Sequence, residues 1–468
     1  MNEFKPNMIT MKKIIASLII PLFLMVSCIK APKPIHPFTN DEKQVKVEME
    51  DVLVNKILHV WYPKIIDSIN GGFLTNFDSN WKAVPPMEEK MIVTQARDIW
   101  TACQAAKRYP NDLRYRQAAD HGFKYFRDVM WDTKYGGFFT LRGMDDKKYP
   151  FFKLKRAYGN AFAIYALASY NKLSGSTEAL ELAKKDFMWL EKNSHDSIYG
   201  GYYDYLTEEG YSVINPKINK NGYMDFQIGK YKDYNSSIHI LEAFAELYQV
   251  WPDELVKKRL TEMLVIIRDT ITTKKGYMNL YFERDWKHLS FKDSTESIRK
   301  RNYELDHVSF GHDIETAYLL IEASKALGLK NDTLTEKVSK RMVDHSLAKG
   351  FDKEYTGIFD GGYYVSADSV SIVLNTKEWW AQAEALNALL LFSKMHPENK
   401  QYEYAAFRMW YYIKNYLIDY KKGDWYRLGL DNSPSSKKDM KADAWKCNYH
   451  TSRSLINCLE LLEEKKIK

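Results

Sequence analysis

The chain has few cysteines, and none of them has the spacing of a metal site or a disulfide framework. Only four occur in 468 residues, and there is no Cys-x-x-Cys or His-Glu-x-x-His pattern. A zinc ribbon, a redox dithiol and a disulfide-stapled domain are therefore not indicated. Cys103 and Cys458 lie in apolar helical stretches and are predicted core residues. We expect no metal and no other cofactor.

An excess of charge of one sign is also lacking. The 68 basic and 61 acidic residues leave a net charge of +7, and the two signs are interleaved along the chain. This balance does not indicate nucleic-acid binding. A hydrophobic content of 45% in a chain of this length is typical of a soluble globular protein with a large core.

Long apolar runs are missing except near the N-terminus, where one runs from Ile14 to Val26. It is short for a membrane span, follows Lys12-Lys13 and ends at Cys28, and so resembles a bacterial lipoprotein signal. We predict a signal over residues 1–27, lipidation at Cys28, a proline-rich tether over 28–42 and a single domain over 43–468. The protein is then expected in the bacterial cell envelope, on the outer membrane, held by its N-terminal lipid alone. A plain signal peptide with an incidental Cys28 is the alternative.

Glycine turn signals recur along the domain. Four Gly-Gly-aromatic triplets and two weaker copies recur roughly every 60 to 90 residues, which indicates a repeat architecture. The last glycines of the six signals are Gly72, Gly137, Gly201, Gly276, Gly362 and Gly423.

Between these turns the apolar residues follow a helical period near 3.6, as in 158–167 and 238–247. Six helix pairs that bury their inner members on all sides can close into a ring. The predicted fold is therefore all-α, an (α/α)6 barrel of six helix pairs joined by short hairpins and turns. An open superhelix of helix pairs is the alternative. The charged segment from Lys287 to Asn302 is predicted as a loop over one end of the ring, and it is a candidate lid.

Polar and aromatic residues recur where each predicted inner helix begins, and helix N-termini favour oxygen-rich ligands. Helix capping accounts for some of these residues, such as Asn235 and Asp313, without any function. It does not account for Arg97 or the histidines. The candidates at this rim are Arg97, Tyr158, Asn235, His239, His312, Glu315, Trp379, Trp380, Glu384 and His450, with Trp445 nearby.

Two of the histidines have supporting neighbours. Glu315 lies on the same helical face as His312, so we expect it to hold that ring in one tautomer. His450 lies between aromatic residues. Imidazoles titrate near neutrality, so a pair of them can act as base and acid without a cofactor. Arg97 is the predicted partner of a developing oxyanion. The three tryptophans at the rim offer flat faces to sugar rings, and we expect one of them to be a core residue.

Five motifs at these positions resemble the N-acylglucosamine 2-epimerase family, and most closely its cellobiose and mannobiose 2-epimerases. The resemblance covers nearly all of the chain after about residue 48. The motifs are Thr94-Gln95-Ala96-Arg97, the segment 157–167, Ser309-Phe310-Gly311-His312-Asp313-Ile314-Glu315, Glu378-Trp379-Trp380-Ala381-Gln382-Ala383-Glu384 and Trp445-Lys446-Cys447-Asn448-Tyr449-His450.

The resemblance implies an (α/α)6 barrel in which His312 and His450 are the acid/base pair and Arg97 stabilises an enediolate. It also implies that Glu315 tunes His312 and that Trp380 and Trp445 stack on sugar rings. We add His239 to the catalytic candidates, and Tyr158, Asn235, Trp379 and Glu384 to the substrate-binding ones. The sequence departs from the family at Ser237, where many members have a second histidine beside His239.

The predicted function is that of a cofactor-independent sugar 2-epimerase, an isomerase acting at the reducing-end C2 of a β-1,4-linked disaccharide of the mannobiose or cellobiose type. We expect a small-molecule sugar as the ligand, and a monomer or weak dimer. An aldose-ketose isomerase or an N-acylglucosamine 2-epimerase is the nearest alternative. A glycoside hydrolase or lyase using Asp204, Asp225 or Asp360 is more distant, as is a non-catalytic glycan-binding lipoprotein.

Overall fold

A computed structural model describes residues 33–84, 89–143, 154–213 and 231–464. The predicted signal, Cys28 and Asp225 lie outside these residues. The helices of the described part are α1 (Glu42–Asp51), α2 (His59–Trp61), α3 (Ile92–Arg108), α4 (Leu113–Tyr125), α5 (Ala157–Ser174), α6 (Thr177–Asn193), α7 (Tyr234–Val250), α8 (Glu254–Val265), α9 (Glu296–Arg301), α10 (Phe310–Ala326), α11 (Thr333–Lys349), α12 (Trp379–Met395), α13 (Lys400–Tyr412) and α14 (Tyr449–Glu463).

Six helices form a closed inner ring, in the order α3, α5, α7, α10, α12 and α14. Each packs against the next, and α14 packs against α3 to complete the circle. An outer helix covers each inner one: α4, α6, α8, α11 and α13 follow their partners in the chain, whereas α1 covers α14. The chain therefore begins in the outer layer and ends in the inner layer. The predicted (α/α)6 barrel is confirmed.

The two layers differ in the way their sequences favour helix. The inner helices α5, α10 and α12 are buried on nearly all sides, because both the barrel axis and the outer layer cover them. The outer helices are amphipathic and begin at side chains that accept a hydrogen bond from the first turn. These caps are Asp112, Ser176, Asp253, Asp332 and Asn399. Several outer helices end in π-helical turns that the sequence did not indicate, at Phe126–Met130, Ile266–Ile271 and Ile413–Leu417.

Glycines form the turns that lead inward from the outer helices. At Gly137, φ is 71°, and an added Cβ would lie 2.8 Å from the Trp189 ring, so only glycine fits. The prediction was wrong in the fifth unit. Its turn lies at Thr356–Gly357, where φ is 68° and 78°, whereas Gly361 and Gly362 open a strand.

Short antiparallel strands precede the inner helices and link neighbouring units. The pairs are β1 (Glu89–Met91) with β2 (Leu141–Gly143), β3 (Leu154–Arg156) with β4 (Tyr205–Thr207), and β5 (Lys232–Asp233) with β6 (Tyr281–Phe282). In the last sheet β8 (Gly361–Tyr364) lies between β7 (Val308–Ser309) and β9 (Val370–Leu374). In this sheet Ser309 pairs with Gly361, which fixes the start of α10.

Two segments outside the barrel layers bear on the predictions. The segment from Lys287 to Asn302 is largely loop, as predicted, but it includes the whole of the short helix α9. The described part of the predicted tether lies along the end of α13, where Phe38 contacts Tyr404 and Tyr411. The backbone N–H groups of Ile35 and His36 both donate at 2.8 Å to Asn415 Oδ1, in the π-helical turn Ile413–Leu417 that follows α13. No helix in the described residues is long and apolar enough to span a membrane.

Candidate functional site

The N-terminal ends of the inner helices meet in one cleft, as the rim prediction required. Arg97 on α3 donates to Tyr158 OH on α5 at 3.1 Å, and the Tyr158 ring lies 5.3 Å from the His239 ring on α7. On the other side Trp380 on α12 lies between two histidine rings, with centroid distances of 4.4 Å to His312 and 6.0 Å to His450. The structure therefore brings together candidates from all six inner helices.

His312 is held by hydroxyl groups. Its Nδ1 lies 2.7 Å from Ser309 Oγ and 3.3 Å from Tyr234 OH, and its ring meets the Tyr234 ring edge-on at 4.8 Å. Burial lowers the pKa of His312 well below its ordinary value, and the neighbouring imidazoles lower it further. Since a hydroxyl both donates and accepts, either tautomer of this neutral ring can be satisfied.

His450 is held by a carboxylate. Its Nδ1 lies 2.5 Å from Glu384 Oε1, which fixes the proton on Nδ1 and leaves Nε2 as the free acceptor. Burial lowers the pKa of His450 to about 3 even though Glu384 opposes the shift. The pKa of Glu384 is lowered to about 2 because Arg453 and His450 outweigh its burial. At neutral pH, His450 is therefore a neutral base beside an ionised acid.

Arg453 on α14 links three buried carboxylates below the cleft. Its guanidinium lies 2.7 Å from Glu384 Oε1 and 2.5 Å from Glu315 Oε1, and it also bonds to Glu242. The third histidine joins this network, because His239 Nδ1 lies 2.8 Å from Glu242 Oε2. Burial and the other carboxylates raise the pKa of Glu315 to about 8, so Glu315 is protonated at neutral pH.

The predicted partner of His312 was wrong. Glu315 bonds to Arg453 rather than to His312, because the guanidinium enters from α14 across the barrel axis. A buried charge attracts the nearest carboxylates more strongly than a neutral imidazole does. The carboxylate that orients a catalytic candidate is Glu384, which was predicted to bind substrate and which contacts His450 instead.

Arg97 is buried and stays cationic beside aromatic rings. Its guanidinium lies 4.5 Å from the Phe162 centroid and 5.2 Å from that of Tyr449, and Nε has no hydrogen-bond partner among the described residues. An unsatisfied, buried donor in a cleft is free to bind an incoming oxygen. The oxyanion role of Arg97 stays a prediction.

The three rim tryptophans differ in exposure. Trp445 is 46% exposed and lies 6.4 Å from the Tyr158 ring, whereas Trp379 is 3% exposed and packs under the guanidinium of Arg427. Trp379 is therefore a core residue, and its predicted contact with substrate was wrong. Consecutive helical residues point about 100° apart, so Trp380 faces the cleft while Trp379 faces Arg427 and Lys446 in the segment before α14.

Asn235 and Ser237 lie in the first turn of α7 and behave differently. Asn235 Oδ1 is buried without a partner among the described residues, which leaves it available to a ligand. Ser237 Oγ donates to the Asp233 carbonyl at 2.6 Å. Positions 237 and 239 lie about 200° apart around the helix, so Ser237 points away from His239. The missing family histidine therefore does not leave a gap in the cleft.

Sequence reasoning missed four residues that support the histidines: Ser309, Tyr234, Glu242 and Arg453. Glu242 carried a local signal, since it lies three residues after His239 on the same helical face. Ser309 lies three residues before His312 in the same motif, Ser309–Glu315. Tyr234 and Arg453 reach their partners from other inner helices, and no sequence spacing reports such contacts.

The carboxylates considered for hydrolysis have structural partners. Asp204 is buried and lies 2.6 Å from Arg156 Nη2, and Asp360 Oδ1 accepts the Glu378 N–H at 2.8 Å. Among the described residues, Glu315, Glu384 and His450 have ligand atoms within 4.8 Å of one another, as a metal site would require. Arg453 already lies against both carboxylates there, so a metal ion would have to displace its charge.

Comparisons with known proteins identify the family of the chain. The family model of N-acylglucosamine 2-epimerase matches residues 72–454. The chain is 27% identical to a cellobiose 2-epimerase of Bacteroides fragilis, over 90% of this chain and 99% of that protein. It is 23% identical to a D-mannose isomerase of Marinomonas mediterranea, over 87% and 96% of the two chains. The solved structure of a cellobiose 2-epimerase from Spirochaeta thermophila superposes with a TM-score of 0.74 at 27% identity, over 90% and 97%.

These relatives are carbohydrate epimerases and isomerases, which confirms the expected enzyme class, and they do not favour a hydrolase or a binding protein. The match to the family model covers most of the chain, including the helices that carry Arg97, His312 and His450. The chain therefore belongs to the N-acylglucosamine 2-epimerase family.

Proposed function

We propose that the protein is a sugar 2-epimerase that inverts the reducing-end C2 of a β-1,4-linked disaccharide of the cellobiose or mannobiose type. The observation that carries the proposal is the pair of neutral histidines that both lie against Trp380, supplied by α10 and α14. Inversion at a carbon next to a carbonyl needs a base on one face and an acid on the other. The disaccharide relatives support the choice of substrate.

In the proposed reaction the reducing sugar is bound as its open aldehyde. One histidine takes the C2 proton. The electron pair of the broken C–H bond forms a double bond between C1 and C2, and the π pair of the carbonyl group moves to its oxygen to give a cis-enediolate. The second histidine then gives its own N–H proton to C2 from the opposite face, and the aldehyde re-forms. A proton passes from the first ring, now cationic, to the second through solvent, which returns both imidazoles to the neutral form. Arg97 pairs with the enediolate oxygen, where its buried charge acts in a low-dielectric surrounding.

The aromatic residues provide the binding surface for the sugar rings. Trp380 lies against both histidines, so it is suited to hold the reacting unit, whereas Trp445 lies farther out beside Tyr158. Flat aromatic faces bury the C–H faces of sugars at a low entropic cost. Two such platforms at different depths suit a disaccharide better than a single sugar.

Aldose-ketose isomerisation is the second candidate, and the D-mannose isomerase relative favours it. The same enediolate protonated at C1 rather than at C2 yields a ketose. The geometry of the histidines about Trp380 serves both outcomes, so the products decide between them.

The test is to incubate the purified full chain with cellobiose and with mannobiose and to identify the products by NMR. We expect the C2 epimer of each sugar, with its mass conserved. His312→Asn and His450→Asn should each lower the rate by at least about 10³-fold, whereas His396→Asn, at the opposite end of α12, should leave it unchanged. A ketose product would favour the isomerase, and unchanged sugars would reject both candidates.

We also propose that the protein is a lipid-anchored envelope protein modified at Cys28, on the outer membrane. The support is the lipoprotein-like sequence around that residue, together with the hydrogen bonds of Ile35 and His36 to Asn415 just after α13, which leave a short link to the lipid. Cell fractionation tests it: the wild type should sediment with membranes and Cys28→Ser should not. Equal distributions would reject the anchor.

A further inference from the structure

The fourth residue of the inner helices has a recurring structural task. Gln95 Oε1 accepts the Phe73 N–H at 2.8 Å, and its Nε2 donates to the Phe73 carbonyl at 2.8 Å. Gln382 does the same to Ile358, at 2.7 and 2.9 Å. Phe73 and Ile358 each follow the glycine turn of their unit. The side chain therefore ties the first turn of an inner helix to the turn that precedes it.

The shorter Asn160 performs this task in a second way. Its Oδ1 accepts the Phe138 N–H at 2.7 Å, and its Nδ2 donates to the Arg156 carbonyl, four residues back, at 2.7 Å. In all three cases one carboxamide oxygen accepts and one carboxamide nitrogen donates. We call these side chains the amide clamps: Gln95, Asn160 and Gln382.

In the fourth unit the same helical position holds an acid, Asp313. Its Oδ1 accepts the Met278 N–H at 2.8 Å, as the oxygen of an amide clamp does. Its Oδ2 is buried and has no hydrogen-bond partner among the described residues. An ionised carboxylate in that place would leave a charged oxygen without a donor, which native proteins avoid.

The fourth unit also lacks the cation that accompanies the other turns. In four units a buried lysine two residues before the inner helix bonds to an aspartate at the turn: Lys90 with Asp67, Lys155 with Asp132, Lys232 with Asp196 and Lys377 with Asp352. At the corresponding positions of the fourth unit stand Val308 and Thr273. The acid at the clamp position therefore coincides with the loss of the lysine.

The groups that face Asp313 from neighbouring elements are neutral. Tyr234 on α7, Tyr277 on the turn and Tyr364 on β8 lie near Asp313, and burial raises the pKa of each, so their hydroxyl groups are neutral at neutral pH. His345 on α11 bonds to Tyr364 OH at 2.8 Å, and its pKa is lowered to about 4 by burial. Lys275 lies over the outer face of Tyr364, 4.2 Å from the ring centroid. Burial raises the pKa of Asp313 well above its ordinary value, opposed by the Met278 N–H.

We propose that Asp313 is a neutral carboxylic acid that takes the place of an amide clamp and positions the first turn of α10. Its Oδ2–H donates to the Ser309 carbonyl, four residues back, as Asn160 donates to Arg156. Ser309 is the residue whose hydroxyl holds His312 Nδ1 at 2.7 Å. Asp313 is thus a positioning residue for His312, and this second part rests on the proposed function.

The protonation state is tested directly by infrared spectroscopy, without any substrate. The difference spectrum between the wild type and Asp313→Asn in D2O at neutral pH should contain the carbonyl stretch of a protonated carboxyl group, alongside the amide band of the new asparagine. Incorporating aspartate labelled with carbon-13 at its carboxyl group should shift that stretch. Carboxylate bands in place of it would overturn the proposal.

Stability against pH gives a second test, with a matched control at the amide clamp Asn160. A folded-state pKa above the unfolded one means that Asp313 costs stability as pH rises from about 4 towards the folded value. Asp313→Asn should therefore melt near the wild type at pH 4 and at least about 2 °C above it at pH 8. Asn160→Asp should show the opposite trend, falling below the wild type as pH rises. A difference in melting temperature between Asp313→Asn and the wild type that stays constant with pH would contradict a neutral Asp313.

Activity tests the positioning role. Asp313→Asn should keep kcat within about twofold of the wild type, because the amide restores both hydrogen bonds. Asp313→Ala should lose at least about tenfold in kcat as His312 shifts. The acid limb of the kcat/KM profile should be the same in Asp313→Asn and the wild type. A shifted limb with a large loss in kcat would mean that an ionised Asp313 acts on His312 by its charge, and it would overturn the proposal.

Discussion

The two histidines of the cleft have different supports. His450 is bonded to an ionised carboxylate, Glu384, which is itself held by Arg453 and by the Tyr318 hydroxyl at 2.7 Å. His312 is bonded to the hydroxyl groups of Ser309 and Tyr234. His450 therefore has a fixed tautomer and a counter-charge for its imidazolium form. His312 can change from one tautomer to the other at no electrostatic cost.

In the proposed epimerisation, this difference predicts unequal roles for the two rings. Both rings start neutral because burial lowers both pKa values. The proton that leaves C2 makes one ring cationic, and that charge is stabilised by a nearby anion at His450 but not at His312. The two steps of inversion are therefore expected to depend unequally on the residues around the histidines.

The largest effect is expected when the counter-charge of His450 is removed. Glu384→Gln keeps the shape of the side chain but leaves the imidazolium unpaired, so kcat should fall by about 10²-fold or more with little change in KM. Steady-state kinetics on the epimerised disaccharide measure this. Glu322→Gln on α10 is the control, since Glu322 is an acid on the exposed face of the same inner helix that bonds to neither histidine, and its kcat should equal that of the wild type. Equal losses of kcat in Glu384→Gln and Glu322→Gln would mean that the counter-charge of His450 has no special effect, and would remove the distinction between the histidines.

Removing the hydroxyl partners of His312 should have a smaller effect. Ser309→Ala leaves Tyr234 OH in place, and Tyr234→Phe leaves Ser309 Oγ, so each should reduce kcat by about threefold. In the double variant the fold-loss in kcat should exceed the product of the two single losses, because the His312 ring then has no fixed orientation. Single losses as large as that of Glu384→Gln would show that the two supports are equivalent.

The pH dependence of the reaction should be weak around neutrality. With a pKa of about 3 for His450 and a value well below 6.5 for His312, neither ring gains a proton between about pH 6 and pH 8. We expect kcat/KM to vary by less than about twofold over this range. A bell-shaped profile centred on pH 6.5 would show that one ring titrates normally.

The smallest effect is expected at Glu315, in stability rather than in rate. Its folded pKa of about 8 lies above its ordinary value, so the wild type should lose stability as pH rises from about 4.5 to 8. Glu315→Gln removes this loss, and its melting temperature should exceed that of the wild type by about 2 °C at pH 8.5 and by less at pH 5. Calorimetry at the two values measures the gap, and a reversed order would mean that Glu315 is ionised in the fold.

The sequence allowed the fold to be predicted because the barrel is a repeat whose units each carry a turn signal and an apolar helix. His312, His450 and Arg97 could be found because their motifs lie at helix starts, where polar residues are conspicuous. The partners of His312 could not be predicted. Glu315 bonds to Arg453 instead, and Arg453 lies on α14, which is distant in the chain. Trp379 and Trp380 are adjacent and alike, and only the packed barrel determines which of them faces the cleft.

The central claim is that each histidine works on one face of C2, and hydrogen exchange in the single-histidine variants tests it most directly. His312→Asn and His450→Asn would each be incubated in D2O with the gluco- and the manno-configured disaccharide, and the C2 proton followed by NMR. The account predicts that neither variant inverts C2. It also predicts that one variant exchanges the C2 proton of the gluco-configured sugar only, and the other variant that of the manno-configured sugar only. It would be contradicted if one variant exchanged both sugars and the other exchanged neither, since a single histidine would then serve both faces.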